Sequence, residues 1–219
     1  MRHRRRDWQT QLLEQEFDFY IKEPSQFKGK WKQNFDALHV EIGSGKGQYV
    51  IEMAKKYPNK LFVGVERMPL IGAYILRELS LNPLKNVCVI IDHAQEISEW
   101  FEPDEIDVIH LNFSDPWPKK AHVKRRLTYP SYLEIYQKLL SKQGELHLKT
   151  DNEQFFEYST LSLSQFGATC RDFSVNFRRE TNDFDALTEY EQRFMSKGQP
   201  IYRSVWTFSH DLRIDKSTN

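Results

Sequence analysis

The stretch VEIGSGKG at residues 40–47 constrains this chain more than any other. Leu38, Val40 and Ile42 form an apolar run that leads into Gly43, Gly45 and Gly47. Val50, Met53, Ala54 and Tyr57 follow at i, i+3, i+4 and i+7, the spacing of one helix face. Strand, glycine turn and helix together predict the first unit of a nucleotide-binding α/β sheet, where open backbone and a helix N-terminus face the ligand. Alternate glycines permit φ > 0 and let a ligand approach with no Cβ in the way.

The neighbours of that turn narrow the ligand. A dinucleotide fingerprint fails because Gln48 stands where its last glycine belongs, and a P-loop fails because Val40 stands where its first belongs. Glu41 opens the turn with a carboxylate that would repel a pyrophosphate but tolerate a cationic, phosphate-free nucleoside. Glu66 closes a second apolar run, LFVGVE, at the strand end where an acid commonly holds ribose hydroxyls. Together these acids predict S-adenosyl-L-methionine, whose charge is a sulfonium.

From Ala37 onward strands alternate with helices. Strands are expected at 37–43, 61–66, 86–91, 106–112, 144–150, 168–175 and 201–208, with helices near 47–57, 68–80, 94–101, 130–141 and 152–166. Pro130 suits a helix start and Gly144 a helix C-cap. The expected fold is α/β and Rossmann-like: a mostly parallel seven-stranded sheet with helices on both faces. Residues 1–36, with Arg2, Arg4, Arg5 and Arg6, are expected as a basic extension outside the domain at 37–219. Such an extension is either a solvated tail or an arm laid on RNA phosphate.

Formal net charge is zero over 219 residues, so any affinity for nucleic acid must come from local patches. Cys88 and Cys170 make no disulfide framework and are expected as buried small apolar residues in a reduced, cytoplasmic protein. The basic start has no apolar run after it, which argues against a signal peptide, and no stretch is long enough to cross a membrane. The seven histidines show no metal spacing, so no metal is expected.

Chemistry is expected at the carboxyl ends of the strands. Strand three ends at Asp92-His93, where Asp92 either caps the next helix or accepts from an adenine amino group. Strand four ends in LNFSDPWPKKAHVKRR. There Pro116 and Pro118 stiffen a loop that presents the Asp115 carboxylate and the Trp117 indole, an acceptor and a flat face for a planar base. Lys119, Lys120, Lys124, Arg125 and Arg126 follow within eight residues, with His122 among them and no acid, a pattern suited to phosphate. Strand five ends at Lys149-Thr150-Asp151, and Thr188-Glu189-Tyr190-Glu191 matches a capping box. Asp151 could cap a helix and the second segment could touch substrate; residue physics alone leaves both open.

EIGSGKG at 41–47, NFSDPWPKKAHVKRR at 112–126, KTD at 149–151, TEYE at 188–191 and GQPIYR at 198–203 together carry a resemblance. The chain resembles the bacterial tRNA (guanine-N7-)-methyltransferases. The resemblance implies transfer of a methyl group from S-adenosyl-L-methionine to a guanosine in the tRNA variable loop, guanosine 46. It implies Glu41, Glu66, Asp92 and Asp115 as cofactor-linked acids, with Gly43, Gly45, His93 and Asn112 beside them and Asp115 also catalytic. Lys119, Asp151, Thr188, Glu189, Tyr190 and Glu191 match substrate-binding positions, and the segment with His122, Lys124, Arg125 and Arg126 matches RNA contacts. A monomer or homodimer with tRNA as its partner is expected. Two rivals remain: methylation of an exocyclic amine, since D-P-W-P is a cousin of the adenine-N6 loop, and a silent RNA-binding protein on the same fold.

Overall fold

Apolar and polar residues alternate along the strands, and the computed structural model, which describes residues 7–209, shows what each face meets. The strands are β1 (Ala37–Ile42), β2 (Lys60–Val65), β3 (Val87–Ile90), β4 (Ile106–Asn112), β5 (Leu140–Thr150), β6 (Thr169–Ser174) and β7 (Tyr202–Thr207). They form one sheet in the order β3-β2-β1-β4-β5-β7-β6. β1 to β5 run parallel, and β7 is antiparallel to both neighbours. The order reverses between β1 and β4, the switch point at which open α/β sheets bind ligands.

The helices are α1 (Asp7–Glu14), α2 (Gln48–Lys56), α3 (Pro69–Leu81), α4 (Ile97–Trp100), α5 (Pro130–Leu139), α6 (Glu153–Phe166) and α7 (Glu189–Met195). On one sheet face Leu38, Val40, Ile109, Leu111, Leu146 and Leu148 pack against Leu133 and Tyr136 of α5 and Phe155 and Leu163 of α6. Each such side chain contributes about 1.5–3 kcal/mol when fully buried. On the other face Val50, Met53 and Ala54 of α2 and Ile75, Leu76 and Leu79 of α3 cover Phe62, Val87 and Val89. That face changes character over β1, β4 and β5. By strand alternation it carries His39, Glu41, His110, Asn112 and Lys149, all buried.

Several expectations need correcting. The segment before Ala37 is packed rather than loose over its described residues. Gln9 of α1 donates to the Leu70 carbonyl at 2.7 Å, Ile21 extends the β3 edge through a 2.9 Å bond to Val89, and the buried Trp31 indole donates to Trp100 at 2.8 Å. The arginines at 2, 4, 5 and 6 lie outside the described residues. Gly144 is no helix cap, because α5 passes straight into β5 at Leu140. Its lack of a Cβ answers crowding instead, since a Cβ there would meet the Ser141 nitrogen at 2.9 Å. The expected helix at 94–101 splits into a 3-10 turn, Ala94–Glu96, and the four-residue α4. Cys88 is half-buried, its thiol pushed up to about 12 by burial, but Cys170 is exposed because β6 is an edge strand with a bare outer side.

Candidate active site

The glycine turn adopts the left-handed backbone its sequence demands, with φ of 82° at Gly43, 58° at Gly45 and 81° at Gly47. Gly47 also admits α3, since a Cβ there would lie 2.7 Å from Ile75. The turn is tied to β2: Gly43 and Ser44 both donate to the Val65 carbonyl, at 2.8 and 3.0 Å. Glu66 then receives the Gly45 amide at 2.9 Å on one oxygen and the Met68 amide at 2.8 Å on the other. Two backbone donors thereby aim this carboxylate, and its remaining lone pairs stay available for hydroxyls. Gly43, Glu66, Asp92, His93, Ser114 and Asp115 all line one cavity of about 440 Å³ at the strand ends. Asp92 accepts from the His93 amide at 2.7 Å and does not cap a helix.

Glu41 and Asn112 stand on the polar face beside this turn. Asn112 donates to Glu41 Oε1 at 2.7 Å, while Glu41 Oε2, Asn112 Oδ1 and Ser114 Oγ are buried with no partner among the described protein atoms. Burial pushes the Glu41 carboxyl up to about 7, against the pull of the Asn112 bond and the Lys149 cation. An uncompensated buried acceptor is costly. Neither Glu41 nor Asn112 lines the cavity itself; what the cavity offers a positively charged nucleoside is the aimed Glu66 carboxylate together with Asp92 and Asp115. A larger cleft of about 650 Å³ opens elsewhere on the polar face, over His39, His110 and His147, away from the glycine turn.

The Asp115 loop is held in a strained shape. Phe113 and Trp117 have φ of 53° and 41°, a region that costs non-glycine residues about 1–3 kcal/mol each. The guanidinium of Arg126 supports that shape by donating to the Pro116 carbonyl at 2.9 Å and the Trp117 carbonyl at 3.1 Å, stacked 4.1 Å from the Tyr158 ring centroid. Arg126, expected on RNA phosphate, is half-buried and bonded to the loop through Nε and Nη2. Lys119, Lys120, Lys124 and Arg125 are exposed around the 3-10 turn Lys120–Arg125. Arg125 lies 5.0 Å from the Trp117 ring centroid, and His122 meets the same ring edge-on at 5.6 Å.

The remaining expected residues converge from β5 and α7. Asp151 does not cap α6; Asn152 does, accepting from Phe155 at 2.8 Å, which leaves the Asp151 carboxylate half-buried, its pKa raised by burial. The Tyr190 hydroxyl is raised by burial and then by the field of the Asp151 carboxylate, against the pull of Arg193. The Tyr190 ring contacts Phe113 at 4.7 Å between centroids. Thr188 and Glu191 form the expected capping box, with Glu191 fully buried, while Glu189 and Tyr190 face outward.

A family profile described as "Putative methyltransferase" matches residues 36–204. A tRNA (guanine-N(7)-)-methyltransferase of Oceanobacillus iheyensis is 44% identical, over 95% of this chain and 99% of that protein. The chain belongs to the tRNA (guanine-N7-)-methyltransferase family. Relatives of the same name from an Exiguobacterium species and Streptococcus sanguinis are 41% and 42% identical, over 95% and 93% of this chain and 98% and 97% of theirs. Among solved structures, a 16S rRNA methyltransferase, KamB, aligns with TM-score 0.65 at 13% identity over 86% of this chain and 95% of its own. An antibiotic-related methyltransferase aligns at 0.60 and 17% over 84% and 94%. Those two share the fold.

The fold also brings in residues that no motif marked. Arg67 lines the cavity, stands 3.3 Å from Asp115 Oδ2 and lies 5.8 Å from the Trp117 ring centroid. Its place directly after Glu66 was the available clue. Asp185 and Arg178 are tied to Lys149 and Glu191 by contacts remote in sequence, and no local pattern marks them.

Proposed function

We propose that this methyltransferase moves the methyl group of S-adenosyl-L-methionine to N7 of a guanosine in tRNA, in the variable loop at guanosine 46, and acts in the cytoplasm. The observation that carries the reading is the Glu66 carboxylate, aimed by two backbone amides, in one cavity with Asp92, Asp115 and the Trp117 indole. Bound at the glycine turn, the sulfonium supplies an electrophilic methyl. Glu66 would accept the ribose hydroxyls, Asp92 the adenine amino group, and Glu41 with Asn112 the ammonium.

Guanine N7 carries an in-plane lone pair and no proton. Its methylation therefore needs no general base, and the work left to the chain is alignment of N7 to within about 3–3.5 Å of the methyl carbon. Positive charge moves onto the purine as the bond forms. Asp115 accepts from the Watson–Crick edge and offsets that charge, assisted by Asp151; its carboxylate is exposed, so the effect is strong only once the bound base displaces water from it. Tyr190 and Trp117 offer flat faces to the base, while Lys119, Lys124 and Arg125 meet phosphate.

The test is methyl transfer to an unmodified tRNA transcript, followed by borohydride and aniline treatment. Scission of the strand at one variable-loop guanosine is expected, because only a 7-methylated guanosine opens this way. Labelled RNA that resists scission would point to an exocyclic amine instead.

A further inference from the structure

α7 carries the residues that face the purine, yet it buries one residue only, and that residue is Glu191. Apart from the Tyr190 ring on Phe113, no apolar contact among the described residues seats this short helix, and none of its apolar side chains is fully buried. Glu191 is held by charge: its Oε1 accepts from Arg178 Nη2 at 2.7 Å and Nε at 3.0 Å, and lies 3.5 Å from Lys149 Nζ. Its Oε2 accepts the Thr188 amide and hydroxyl, each at 3.0 Å. Asp185 closes the cluster, taking Lys149 at 2.7 Å and Arg178 at 2.6 Å on Oδ2. All four side chains are at most 7% exposed, and two cations face two carboxylates.

A directed chain of hydrogen bonds fixes this cluster to the sheet. Tyr49 donates to Asp185 Oδ1 at 2.8 Å, so its oxygen must accept from Nδ1 of His110, 3.3 Å away. That leaves His110 Nε2 as the acceptor for His39 Nδ1 at 3.0 Å. Each ring nitrogen in the chain has one consistent role, and the two histidines come from β1 and β4. Lys149 itself comes from β5, two residues before Asp151.

We propose that Lys149, with Arg178 and Asp185, is the positioning device for the purine site. It anchors the turn at 188–191 through Glu191 and so sets Tyr190 against Phe113, without touching RNA or methyl donor. This rests on the substrate reading of residues 188–191 given above. A buried pair with one partner removed is strongly destabilising, whereas removal of both is far better tolerated. That asymmetry separates positioning from mere support.

The experiment compares wild type, Lys149→Met, Lys149→Met/Asp185→Asn and Arg178→Lys as full chains. Tm, calorimetric affinity for S-adenosyl-L-methionine, and kcat and KM on a tRNA transcript are measured for each. In the double variant Tm should return to near the wild-type value, and donor affinity should stay within threefold. Its kcat/KM for tRNA should remain at least tenfold down, mostly in kcat. Arg178→Lys keeps the charge but loses the planar fork, and should show the same split more mildly. Recovery of kcat/KM to within twofold as Tm recovers would overturn the proposal, as would an equal loss in donor affinity. Hydrogen exchange across residues 189–195 decides the anchor independently of turnover. Faster exchange than wild type in the double variant or in Arg178→Lys is expected, and unchanged exchange in both overturns the anchor. If wild type itself leaves tRNA unlabelled, the substrate reading fails, and exchange still settles whether the anchor exists.

Discussion

Gln48 Oε1 accepts the backbone N–H of Glu189 at 2.8 Å, joining the first residue of α2 to the first residue of α7. The side chain that breaks the dinucleotide fingerprint thus ties the glycine turn to α7. A net hydrogen bond of about 1 kcal/mol corresponds to roughly fivefold in a binding or rate constant. Gln48→Ala should lower kcat/KM for tRNA by about that factor. Calorimetry should find donor affinity unchanged within twofold.

Glu41 should make donor binding pH-dependent. Its carboxyl, raised by burial to about 7, must lose its proton to meet a cation. Apparent affinity for S-adenosyl-L-methionine is then expected to fall about tenfold from pH 8 to pH 6. Titrations across that range check this, and Glu41→Gln should bind weakly with no such slope.

Acid should destabilise the fold through the polar sheet face. Burial lowers His39 to about 3 and depresses His110 and His147 as well. A histidine depressed in the folded state contributes stability that is present above its unfolded pKa near 6.5 and is lost as pH falls. For His39 alone that loss is about 2 kcal/mol at pH 5. Glu41, raised above its unfolded value, opposes it: its contribution is present below about 4.5 and lost as pH rises through 7. Three histidines against one carboxyl leave a net loss toward acid. Urea unfolding at pH 8, 6.5 and 5 measures it, and His39→Asn should shrink the slope.

Arg126 and its neighbours should separate by salt dependence. Lys124→Ala/Arg125→Ala should weaken tRNA binding and flatten the log–log salt slope by about one for each lost phosphate contact. Arg126→Ala frees the Pro116 and Trp117 carbonyls, so it should reduce kcat about tenfold or more, since a hydrogen bond to a charged group contributes about 1.5–3 kcal/mol. Its salt slope should match wild type. Filter binding at several salt concentrations, paired with turnover, distinguishes them.

Much of the candidate site was legible because it is local. The glycine turn, the acids at the ends of β1 to β5 and the Asp-Pro-Trp-Pro loop all sit where strand ends put them. The capping box of Thr188 and Glu191 was legible for the same reason, its partners being three residues apart. Asp185 was not, because its bonds to Tyr49 and Lys149 span 136 and 36 positions and only the fold brings them together. The bond from Arg126 to a carbonyl ten residues away was hidden for a related reason, since a basic run suggests phosphate contact and says nothing of the loop it folds against. The segment at 7–36 has no clean period, and its place depends on pairing with β3 and on the Trp31–Trp100 contact.

Attack by a ring nitrogen that has no proton to lose is best tested by deleting that nitrogen. A tRNA transcript made with 7-deazaguanosine in place of guanosine keeps the Watson–Crick edge that Asp115 and Asp151 would read. It should compete with the ordinary transcript for the enzyme yet take up no methyl label. Label transferred to it at the ordinary rate would contradict methylation at N7.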